Sequence, residues 1–168
     1  MKRVRKIIVE IVAFLLIVLF TYTATSKLFG YSNFKFQLTR SPFITGIAGT
    51  VAWLLPMSEI IIACMLCINR LRQTGLYASF FMMLVFTGYI YAMLHFSPFL
   101  PCSCGGVLAA MSWQQHFYFN IFFIILALTG IVAFETNYSL ASTNLLNKNI
   151  WSRKCWSLQY YFSLLLLL

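Results

Sequence analysis

The sequence predicts an all-α membrane protein, a bundle of four transmembrane helices. Three observations carry this: 61% of its 168 residues are hydrophobic, only 9% are charged, and most of the charges sit in the breaks between long apolar runs. A soluble domain averages about 45–50% apolar and about 25% charged residues. A water-soluble fold of this size could not cover so much apolar surface with so few charges. Disorder is excluded as well, because it needs low hydrophobicity and high charge.

A helical span takes about 20 mostly apolar residues to cross roughly 30 Å of hydrocarbon. Four stretches meet or approach that length: Ile7–Thr25, Gly46–Ile68, Gly75–Leu94 and Phe117–Phe134. Lipid offers the backbone no hydrogen-bond partners, so each stretch reads as a helix, and no period-2 alternation suggests a barrel.

The positive charges orient the spans. Lys2, Arg3, Arg5 and Lys6 precede the first, Arg70 and Arg72 separate the second from the third, and Lys148, Arg153 and Lys154 follow the fourth. Four crossings place these nine on one side against Lys27, Lys35 and Arg40 on the other. The richer side is cytoplasmic by the positive-inside rule, with both termini inside. The expected location is the bacterial inner membrane, with the bilayer as first partner. The dispersed charges form no phosphate-binding face, which argues against nucleic acid. There is no Asp, and Glu10, Glu59 and Glu135 are the only acidic residues. So few carboxylates argue against an enzyme built on a soluble catalytic pair of them.

Residues 1–135 make up the expected transmembrane domain and 136–168 a polar cytoplasmic tail with a short apolar end. That end, Cys155–Leu168, is too short to cross; it reads as an interfacial helix, the start of a lost span or the mark of a truncated frame. The first span also has features of a cleaved signal peptide, a basic start and small residues near Ala24. Glu10 within its apolar run favours retention.

The outer loop between spans three and four holds Pro98-Phe-Leu-Pro101-Cys102-Ser-Cys104-Gly105-Gly106. The prolines stop the third helix, and Gly105 and Gly106 permit the backbone dihedrals of a tight turn. Ser112 and Gln115 read as a capping box opening the fourth helix. The bacterial periplasm is kept oxidising, and a Cys-x-Cys pair closes only a small, strained ring there. Strained disulfides are the exchangeable ones, whereas a staple gains from closing a long loop. Cys102 and Cys104 are accordingly the candidate catalytic pair, set against the plain alternative of two small apolar residues with no chemical role.

His95 and His116 flank this loop. With Cys102 and Cys104 they form an alternative zinc or copper(I) ligand set, although the spacing fits no standard zinc pattern. In the redox reading a histidine would instead lower a thiol pKa. Cys64 and Cys67, ~27 and ~31 Å along the second span from Gly46, lie beyond direct reach of the outer pair. One helical turn apart, they are poorly placed to bond each other. Cys155 reads as an inert thiol.

Glu59 in the second span needs a bundle interior or cavity, since a carboxylate at that depth is costly. Pro56, three residues earlier, removes one backbone donor and is expected to kink the helix. Two roles fit Glu59 equally: a small-molecule or proton site, or a hydrogen bond to Thr, Tyr or Trp. Trp53, Tyr89 and Tyr91 are candidate lining residues.

The sequence resembles the MauE branch of the MauE/DoxX group of four-helix membrane proteins. The likeness rests on Ser26-Lys27-Leu28, on Pro56 with Glu59, and on Pro101-Cys102-Ser103-Cys104-Gly105-Gly106, within roughly Val4 to Phe134. It implies a redox-associated inner-membrane protein that supports disulfide formation in exported clients. Expected partners are a thioredoxin-like or Cys-rich periplasmic protein. Electrons would pass to a quinone near the bundle or to another thiol protein, and no motif marks a quinone site. The rival readings are a non-enzymatic docking partner of a secreted enzyme and metal handling at the Cys–His cluster.

Overall fold

The computed structural model describes residues 2–41, 45–96 and 112–141. Four helices among them are long and apolar enough to cross a membrane. They are α1 (Lys2–Phe29), α3 (Ala48–Cys67), α4 (Arg72–Phe96) and α5 (Trp113–Ala141), with a short α2 (Tyr31–Thr39) after α1 and a 3-10 turn at Thr45–Ile47 before α3. No strand occurs among the described residues. Large apolar side chains such as Leu54, Phe81, Phe122 and Val132 face outward, as lipid-exposed residues do.

Helices α1, α4 and α5 extend past their expected bounds, because basic and polar end residues continue the hydrogen-bond ladder beyond the apolar window, whereas α3 stays just within Gly46–Ile68. Helix α5 runs through 136–141, which the sequence assigned to the tail. Helix α2 has no counterpart among the four expected spans. Gly30 makes the bend into it: its N–H donates to the Ser26 carbonyl at 3.0 Å, and its carbonyl accepts from Phe34 N–H at 2.9 Å. Helix α2 then lays Phe34 and Leu38 against Ala48 and Ala52 of α3. Helix α3 continues unbroken through Pro56.

The long helices form a closed ring in the order α1, α3, α4, α5, with α1 packing against both α3 and α5. Chain neighbours run antiparallel, so the N-terminus, the 68–71 turn and the end of α5 share one end, called here the basic end. Leu16 and Phe20 of α1, Leu66 of α3, Leu76 of α4 and Ala127 of α5 fill that half with an apolar core. Close approach of α1 and α5 depends on Gly130, where an added Cβ would lie 2.7 Å from Val12 Cγ1. Arg72 Nε donates to the Leu66 carbonyl at 3.4 Å near the end of α3, and Tyr77 of α4 hydrogen-bonds Glu135 of α5.

Candidate functional site

The opposite half of the bundle is hollow. A cavity of about 200 Å³ lies between α1, α2, α3, α4 and α5. Most of its wall is apolar, and its polar side chains include Thr23, Lys27, Glu59, Tyr89, His116 and Asn120. The hollow arises because α1 ends at Phe29, level with the middle of α3. Above that point the short α2 takes the place of α1 against α3.

Glu59 is fully buried, and its partner is Lys27, at 8% exposure in the last turn of α1. Lys27 Nζ donates to Glu59 Oε1 in a buried ion pair. The ammonium also lies 5.0 Å from the ring centroid of Phe86 and 5.9 Å from that of Phe34, within cation–π range. Of the two roles open for Glu59, neither names Lys27 as its partner, and Lys27 counts in the sequence among the outer charges. The pairing follows because α1 outruns its apolar stretch and carries Lys27 inward on a helical face; Ser26-Lys27-Leu28 was the available signal.

Among the described residues, two buried side-chain atoms of cavity-lining residues have no hydrogen-bond partner, Glu59 Oε2 and Asn120 Nδ2, and both are almost without accessible surface. Thr23 lies near the Glu59 carboxyl, but its hydroxyl donates to the Phe20 carbonyl at 3.2 Å. Asn120 is 3% exposed and was not singled out in the sequence, since a lone Asn in an apolar run carries no spacing signal. Tyr89 does line the cavity, as expected. Its hydroxyl donates to Ser41 Oγ at 2.9 Å, tying α4 to the end of α2. Trp53 is exposed and packs on Tyr31 at 5.2 Å between ring centroids, and Tyr91 is exposed as well, so neither lines the site.

The two histidines take different positions. His116 is half-buried on the cavity wall. His95 is exposed at the end of α4, stacked on Tyr91 at 4.2 Å with Nδ1 3.1 Å from the Tyr91 carbonyl. No three His, Cys, Asp or Glu side chains converge on a metal position among the described residues. Cys102, Cys104, Gly105 and Gly106 lie outside the described residues. The capping box is formed as expected: Ser112 N–H donates to Gln115 Oε1 at 2.9 Å, and Gln115 N–H donates to Ser112 Oγ at 3.3 Å. At the basic end, Cys64 is a free thiol, so Cys64 and Cys67 do not bond each other.

The family model described as methylamine utilisation protein MauE matches residues 5–133. The chain belongs to the MauE family. The match reaches into all four long helices and covers every residue named in the cavity. No curated protein and no solved structure matches the chain. In this MauE-family chain the buried Lys27–Glu59 pair and the Cys-x-Cys segment occupy separate parts of the sequence, one in the helices and one in the link from α4 to α5.

Proposed function

We propose that this MauE-family protein supports thiol–disulfide exchange for exported proteins at the outer face of the bacterial inner membrane, through Cys102 and Cys104. The supporting observation is the motif Pro101-Cys102-Ser-Cys104-Gly105-Gly106 in the link between α4 and α5, within the span matched by the MauE family. That link joins helix ends far from Arg70 and Arg72, which the positive-inside rule assigns to the cytoplasm.

In the exchange a client thiolate attacks one sulfur of the Cys102–Cys104 disulfide, forming a mixed disulfide and releasing the other cysteine as a thiolate. A second client thiolate then attacks the mixed disulfide. The client leaves oxidised, and Cys102 and Cys104 retain the two electrons as a dithiol. A quinone or a thioredoxin-like disulfide accepts those electrons in the next turn. The small ring favours this chemistry, because its strain raises the potential of the disulfide.

Thiol trapping in intact cells tests the reading, with Cys102→Ser and Cys104→Ser compared against the parent. A redox-dependent label on the parent from the outer side, and a trapped mixed disulfide in one single variant, are expected. Labelling only from the cytoplasmic side, or no change in client oxidation with both cysteines replaced, would overturn it. Client capture that survives loss of both cysteines favours the docking reading instead.

A further inference from the structure

The cavity lies among the membrane-spanning helices, in the half of the bundle away from the basic end, and thiol exchange at Cys102 and Cys104 makes no use of it. We propose that it is an acyl-chain site. The end of one phospholipid chain, from the leaflet farther from the basic end, enters sideways between α2 and α5 and fills the hollow. Nothing in this depends on whether Cys102 and Cys104 react.

The way in follows from the helix packing. Helix α3 packs against α2 and α4, and α4 packs against α5, so three sides of the hollow are closed. Helix α1, which packs on α5 in the basic half, has ended at Phe29. Helix α2 packs on α1 and α3 but forms no comparable face with α5. Phe34 and Leu38 line the cavity on one side of this gap, and His116 and Phe119 line it on the other. His116 and Phe119 are half-buried, as residues at a mouth are.

Depth puts that mouth in lipid. Glu59, at the floor, lies ~17 Å along α3 from Ala48. That is about half of the roughly 30 Å hydrocarbon thickness, so the hollow spans the depth of one leaflet. The gap between α2 and α5 therefore opens onto acyl chains and not onto water.

The wall selects an apolar guest. Glu59 Oε2 and Asn120 Nδ2 are almost without accessible surface, and Lys27 is engaged by Glu59. The hydroxyls of Thr23 and Tyr89 already donate, to the Phe20 carbonyl and to Ser41 Oγ. What remains is largely carbon, from side chains such as Leu55, Met83, Phe86 and Ile90. A polar or ionic molecule would give up its hydration there without replacement. An apolar cavity of about 150 Å³ stays dry and takes a guest the size of benzene. On that scale about 200 Å³ holds a chain segment of about eight carbons. The bilayer supplies such segments in excess over any dissolved apolar molecule, so mass action favours them.

The test uses the full chain in nanodiscs of phosphatidylglycerol and phosphatidylethanolamine that contain a phospholipid with one chain ending in a diazirine. Illumination inserts the chain end into the side chain it touches, and peptide mass spectrometry maps the adducts. Phe34 and Met83 line the cavity and are only 3% and 2% exposed, so a chain in the surrounding bilayer does not reach them. Adducts at both are expected, beside those at outward-facing Leu54 and Phe81. Leu55→Trp, which fills the cavity, should lose the Phe34 and Met83 adducts and keep those at Leu54 and Phe81. Val51→Phe gives the same readout where the larger side chain unfolds the bundle. Adducts at Leu54 and Phe81 alone would overturn the proposal. So would Met83 adducts that survive the filling substitutions, or labelling of Met83 by a free diazirine fatty acid but not by the phospholipid.

Discussion

Lys27 at the end of α1 and Glu59 in the middle of α3 form an ion pair inside the bundle, 32 residues apart in the chain. The pair joins two helices that also share the apolar core, and it forms the floor of the cavity above that core. A buried pair of this kind is weak evidence for stability, because desolvating both ions opposes their attraction. Its value lies in what breaking it would leave behind.

Removing one member should therefore cost more than removing both. Lys27→Met or Glu59→Leu alone is expected to destabilise the bundle by about 3–5 kcal/mol, since each strands a buried charge. The double variant should recover most of that loss. Unfolding of the four proteins in one detergent, arranged as a double-mutant cycle, measures the coupling. Additive losses would show that the charges do not meet.

The Tyr89–Ser41 hydrogen bond anchors α2, and with it one wall of the cavity. Tyr89→Phe should cost about 0.5–1.5 kcal/mol, and Ser41→Ala a similar amount. Together they should cost less than their sum. Hydrogen exchange at Phe34–Leu38 should rise in both variants while exchange at Leu66 stays slow.

Gly130 and Gly88 offer a paired test of helix packing. Gly130→Val drives a branched side chain into Val12 and should destabilise by about 1–3 kcal/mol. Gly88 has open space around its Cβ position, so Gly88→Ala should be neutral or stabilise by about 0.5–1 kcal/mol. Thermal midpoints that move in opposite directions would match this geometry.

The capping box sets where α5 begins and so where the cysteine-bearing link ends. Ser112→Ala should cost about 1 kcal/mol and fray the first turn, and Ser112→Asp should restore it. Exchange rates at Gln115 and His116 report the effect. Unchanged rates in Ser112→Ala would mean that Trp113, not the cap, holds that turn.

The capping box was legible because both partners lie three residues apart and the geometry is local. The four spans were legible because lipid imposes length and apolarity on any crossing segment. Helix α2 was missed for the converse reason: Tyr31–Thr39 has little apolar content and is held by Phe34 and Leu38 docking on α3, a contact remote in sequence. Glu59 announced a buried environment, but nothing near it in the chain announced Lys27.

Composition and span length alone determined that this chain lives in a bilayer as helices, because the energetics of water and hydrocarbon act on every residue independently of the fold. Tertiary structure decided which charges meet and where space remains. The ion pair, the unpaired amide of Asn120 and the cavity itself depend on α1 stopping partway along α3, and a helix's stopping point relative to its neighbour is set by packing between segments. No single segment carries that information.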